Sequence, residues 1–92
     1  MPAKVKLPTI LRKHTEGQAV VEAEGATLGE VLRDLEARHP GITQAILADH
    51  GESIHRFVNV YVNGEDVRYS GSLEAKVAEG DTVSILPAVA GG

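Results

Sequence analysis

One long helix signal, between Thr27 and Pro40, sets what this chain can become. Thr27-Leu28-Gly29-Glu30 matches a capping box, in which the threonine hydroxyl accepts a backbone N–H near Glu30 and the glutamate reaches back. Leu28, Val31, Leu32 and Leu35 then follow the i, i+3, i+4, i+7 spacing of one apolar stripe, while Arg33, Asp34, Glu36 and Arg38 take the wet side. Pro40-Gly41 stops the helix. In a chain of 92 residues such a stripe needs a sheet to cover it.

The flanking segments supply that sheet. Lys4 to Ile10 begins with period-two alternation, which turns Val5 and Leu7 inward and makes a first strand. Lys13 to Gln18 reads as a turn. Gln18 to Glu24 makes a second strand, with Ala19, Val21 and Ala23 on one face. Ile42 to Leu47 suggests a further helical turn or two, and Ala48 to Ser53 a loop. Phe57 to Asn63 alternates most clearly, with Val58, Val60 and Val62 inward and Phe57, Asn59 and Tyr61 on the other face. Asn63-Gly64 signals a tight turn, after which Glu65 to Tyr69 forms a short edge strand. Leu73, Ala75 and Val77 lie in a connector. Thr82 to Leu86 is the last strand, with Val83 and Ile85 buried, Ser84 and Leu86 outward, and Pro87 ending the pairing because it has no N–H. The expected class is α+β: a mixed sheet of four to five strands packed on one main helix. The preferred topology is a β-grasp, in which the last strand lies parallel beside the first. Residues 1–87 form the domain and 88–92 a flexible tail.

Composition narrows the chemistry. The formal net charge is −4 and only Phe57, Tyr61 and Tyr69 are aromatic, so neither a phosphate-binding face nor a base-stacking platform is well supplied. Nucleic acid is not the expected partner. No apolar run approaches a membrane span or a secretory leader, which points to a cytoplasmic protein, monomeric by default. Cysteine is absent, excluding disulfides and a thiol nucleophile. His14, His39, His50 and His55 lack metal-ligand spacing, and no serine sits in a nucleophile elbow. No P-loop or strand-linked GxGxxG occurs. The pairs Glu22/Glu24, Glu65/Asp66 and Glu79/Asp81 read as solvated charges. Lys4, Lys6, Arg12, Lys13, Arg56 and Arg68 form either a basic recognition patch or a scattered wet surface. The expectation is no metal, no intrinsic catalyst and no bound cofactor.

Chemistry is left to the last residues. Gly91-Gly92 removes both β-carbons next to the α-carboxylate, so the backbone can enter a narrow channel in an enzyme. Five extended residues from Ala88 span roughly 17 Å, enough to carry that carboxylate clear of a folded body. A frayed terminus is the plain alternative.

Together with Pro8-Thr9-Ile10-Leu11-Arg12, His55-Arg56-Phe57-Val58-Asn59-Val60-Tyr61-Val62-Asn63, Glu65-Asp66-Val67-Arg68 and Ile85 to Gly92, these features resemble the ThiS/MoaD family of ubiquitin-like sulfur carriers. Within it the resemblance is to the CysO branch, which serves cysteine biosynthesis. It implies a co-substrate, not an enzyme. An E1-like adenylyl/sulfurtransferase would use ATP and Mg²⁺ to adenylate Gly92 and convert it to a thiocarboxylate. A sulfur-accepting synthase would follow, either cysteine synthase-like with pyridoxal phosphate or a thiosugar or thiazole synthase, and then a metal-dependent peptidase. The partner would recognise the tail Pro87, Ala88, Val89, Ala90, Gly91 and Gly92. Phe57, Tyr61 and Leu86 are candidates for the docking face, unless they cover one another or a flanking loop. Two alternatives stay open. One is a ubiquitin-like modifier joined to lysines, or a carrier for thiamin, molybdopterin or thiosugar sulfur; the other is a non-covalent β-grasp binding module.

Overall fold

The computed structural model describes residues 2–48 and 51–87. Five strands form one mixed sheet in the order β2-β1-β7-β5-β6. They are β1 (Ala3–Lys6), β2 (Val20–Ala23), β5 (Val58–Val62), β6 (Glu65–Asp66) and β7 (Thr82–Pro87). Val5 pairs antiparallel with Val21 and parallel with Val83. First and last strands therefore lie side by side in the middle of the sheet, as expected of a β-grasp.

The helix α1 (Leu28–Arg38) packs on one face of this sheet, burying Leu28, Val31, Leu32 and Leu35. These join Val5, Val21, Val60, Val83 and Ile85 in one core. Burying such side chains contributes about 1.5–3 kcal/mol each. The capping contacts form with the return bond displaced by one residue: Glu30 N–H donates to Thr27 Oγ1 at 3.3 Å, and Glu30 Oε1 accepts from the N–H of Ala26, just before the cap, at 2.9 Å. The helix start is also tied to the connector before β7, because Leu28 N–H donates to Ala75 O and Val77 N–H to Ala26 O. At the β2–α1 corner, Asp34 Oδ2 accepts from Glu24 N–H at 2.8 Å and pairs with Arg38 Nε, also at 2.8 Å.

Several local expectations are corrected. The first strand stops at Lys6, and Thr9–His14 is a 3₁₀ helix that starts after Pro8. Proline holds its own φ at −71°, and the Pro8 carbonyl accepts from Leu11 N–H at 3.0 Å, which diverts the chain from the sheet. Ala19 falls outside β2 and is exposed. Only Glu65–Asp66 forms the edge strand β6; the Asp66 carboxylate accepts from Arg68 N–H at 2.9 Å and starts a 3₁₀ turn over Val67–Tyr69. The segment expected as a loop is bracketed by a small hairpin of β3 (Leu47–Ala48) and β4 (Ser53–Ile54), with Asp49 and His50 outside the described residues. Pro87 is itself paired, opposite Val58 as the last residue of β7, one residue beyond the strand expected over Thr82 to Leu86. Lacking only a donor, proline can still occupy the end of a strand. Asn63 and Gly64 do form the tight turn, with φ of 51° and 87°.

Candidate functional site

Strand β7 alternates as the sequence implies, Val83 and Ile85 inward and Leu86 outward, with Leu86 48% exposed. Its register with β5 sets Leu86 opposite Asn59 and Pro87 opposite Val58. Phe57, 52% exposed, sits one residue before β5 in the turn His55–Val58, closed by Val58 N–H donating to His55 O at 2.9 Å. Across from them the Thr9–His14 helix buries Leu11 and leaves Ile10 65% exposed. Between these elements lies a groove of about 250 Å³, lined by Pro8, Ile10, Leu11, Ala45, His55, Phe57, Val58, Ile85, Leu86 and Pro87. The lining is almost wholly apolar and contains no carboxylate.

Arginines adjoin its lining residues in the chain or by hydrogen bond. Arg56 places its guanidinium 4.8 Å from the centre of the Phe57 ring. Arg12 donates from Nε and an Nη to the Leu7 carbonyl at 3.3 and 3.2 Å. Further along β5, Arg68 donates to Asn59 Oδ1 at 2.7 Å and to the Val58 carbonyl at 2.9 Å, which fixes the outer face beside Leu86.

Of the three expected docking residues, the fold brings Phe57 and Leu86 together on the groove and leaves Tyr61 outside its lining. Tyr61 is half-buried near the far end of β5, between Ser84 on β7 and Asp66 on β6. No periodicity in the sequence marks Ile10 for the surface. Its signal was the proline two residues earlier: a strand puts Ile10 on an alternating face, whereas a 3₁₀ turn after Pro8 swings it to the surface. Pro87 reaches the rim of the groove, while Ala88, Val89, Ala90, Gly91 and Gly92 lie outside the described residues.

Elsewhere two carboxylates are held by hydrogen bonds to neighbouring loops. Glu36 accepts from Gly41 N–H at 2.7 Å, Thr43 N–H at 3.0 Å and Thr43 Oγ1 at 2.6 Å, which holds its carboxyl below the usual range. Asp81 is lowered by the Ala78 N–H and the Asn63 side chain. A wider recess of about 570 Å³ is lined by Thr27, Arg33, Glu36 and Thr43, and in it the Thr43 hydroxyl donates to the Glu36 carboxylate that the Gly41 and Thr43 N–H groups also hold. Among the described residues no three His, Cys, Asp or Glu side chains gather as a metal site, and no helix is long and apolar enough to cross a membrane.

A family model, the ThiS family, matches residues 5–92. The sulfur carrier protein CysO of Mycobacterium tuberculosis is 55% identical over 93 residues, covering all of both chains. A chain in the crystal structure of the Amycolatopsis orientalis BexX/CysO complex superposes with a TM-score of 0.91 at 58% identity, covering 98% of this chain and 99% of that one. Small archaeal modifier protein 3 of Haloferax volcanii is 39% identical over 69 residues, 75% of this chain and 73% of that protein.

Proposed function

The chain belongs to the ThiS family, and on that premise we propose that it is a sulfur carrier whose Gly92 carboxylate is the group its partners work on. The observation that carries this reading is the match to the CysO relative over the full length of both chains, on a fold whose last strand delivers Pro87 to the rim of the apolar groove. The carrier itself is a co-substrate. Its sheet and groove hold the tail in register with a partner, and the partner supplies the reacting groups.

In the proposed cycle, the Gly92 carboxylate attacks the α-phosphorus of ATP in an E1-like enzyme, where Mg²⁺ offsets the phosphate charge, and pyrophosphate leaves. The acyl adenylate has a good leaving group where the carboxylate had none. A sulfide equivalent then attacks the carbonyl carbon and AMP departs, leaving a thiocarboxylate. Its anionic sulfur can add to an electron-poor carbon, and an aminoacrylate on a pyridoxal-phosphate synthase is the acceptor that leads to cysteine. A metal-dependent peptidase would release the product. Phe57, Ile10 and Leu86 form the apolar docking surface, Tyr61 extends it along β5, and residues 88–92 enter the partner.

The Amycolatopsis relative was crystallised in complex with BexX, which supports a carrier that docks on a folded partner protein. The test is intact-mass analysis after incubation with ATP, the activating enzyme from the same cells and sulfide. One oxygen replaced by sulfur at the C-terminus is expected; an unchanged mass overturns the reading. Likeness to an archaeal modifier protein favours a second use of the same activated carboxylate, an amide bond to a lysine. Heavier adducts carrying a Gly92–lysine branch in a cell lysate would establish that use.

A further inference from the structure

The turn that carries Phe57 is held from both ends. His55 N–H donates to the carbonyl of fully buried Ile46 at 2.8 Å, and His55 O accepts from Val58 N–H. Inside the turn, Phe57 N–H donates to His55 Nδ1 at 3.1 Å. This is the i to i+2 contact by which Asn and Asp side chains shape turns, made by an imidazole. It needs a lone pair on Nδ1, so the neutral ring carries its proton on Nε2. The same ring lies 5.4 Å from the Phe57 ring, tilted by 37°, and lines the groove with Phe57 and Leu86. A phenyl that is half in water, with its peptide otherwise unheld on the N–H side, would have to be ordered again at each encounter. Ordering of that kind subtracts directly from binding.

We propose that His55 is a positioning residue for docking: its Nδ1 holds the Phe57 peptide so that the phenyl ring stands beside Leu86 before the partner arrives. The proposal rests on the sulfur-carrier reading above. Its signature is a change in recognition without a change in the chemistry at Gly92, since His55 does not touch the reacting atoms.

Wild type, His55→Ala and His55→Asn are compared in the activating enzyme's assay, with the carrier as varied substrate, and by hydrogen exchange of the Phe57 amide. Loss of one hydrogen bond of ordinary strength corresponds to a KM rise of roughly three- to tenfold. His55→Ala is expected to show that rise with kcat unchanged, and faster exchange at Phe57. Asparagine keeps an acceptor at the Nδ1 position, so His55→Asn should bring both readouts back to within about twofold of wild type. Unchanged KM and exchange in His55→Ala overturns the proposal, and so does His55→Asn failing as badly as alanine. If His55→Ala does not fold, His55→Gln, which moves the acceptor one bond outward, takes its place. A wild-type chain that is never activated counts against the carrier reading instead, and the exchange data still decide whether His55 holds Phe57.

Discussion

At Gly25 the chain turns from β2 into α1, and a Cβ there would lie 2.5 Å from Val31 N and 2.7 Å from Glu30 Cβ. The helix backbone cannot yield at such a contact, so Gly25→Ala should destabilise the domain by about 1–3 kcal/mol, as overpacking does. Urea unfolding would show the lowered midpoint; an unchanged midpoint would mean that the corner relaxes freely. Nothing in the sequence marks this glycine, because the close approach exists only once the helix has docked. Leu86 is the opposite case: the period-two pattern of Thr82 to Leu86 predicts its outward side chain, and the fold places it there, 48% exposed. Leu86→Glu should therefore leave the melting temperature nearly unchanged while slowing adenylation of Gly92 about five- to 150-fold, since it sets a charge in an apolar groove, at a cost of about 1–3 kcal/mol. Wild-type activation kinetics would remove Leu86 from the docking surface.

Among the elements, helix and strands were the legible part because their periodicity is a property of neighbours in the chain. The 3₁₀ segments were harder. Thr9–His14 starts where the Pro8 carbonyl accepts from Leu11 N–H and Val67–Tyr69 where the Asp66 carboxylate accepts from Arg68 N–H, and each is too short to show a pattern. That limit hid Ile10, and with it one wall of the groove. The C-terminal end of α1 has its own clasp, in which Glu36 binds the Gly41–Thr43 turn through three hydrogen bonds. Those bonds favour the carboxylate, so the folded-state pKa lies below the ordinary value of 4.5. The stabilisation is present above the unfolded pKa and is lost as pH falls from about 4.5 through the folded pKa. Glu36→Gln should lower stability at neutral pH and flatten its decline on the acid side. Chemical denaturation at stepped pH measures both, and an equally steep acid limb in the variant would assign that decline to other carboxylates.

For the molecule as a whole, the α+β class, the parallel placement of first and last strands and the outward Leu86 followed from sequence alone, whereas the groove required tertiary contacts among three distant segments. Its members come from residues 8–11, 45–58 and 85–87, and no local pattern can announce such a meeting. The β1–β7 pairing joins Lys4 to Thr82 and Lys6 to Ser84, so the middle of the sheet closes a loop of nearly the whole chain. Pairings of such long range are slow to form, and here the strand that completes the sheet follows its other four strands in the chain. A growing chain therefore has neither a finished core nor a groove. Both arrive with the strand that ends at Pro87, so a partner of the proposed carrier that reads the groove reads at the same time that the long-range pairing is complete.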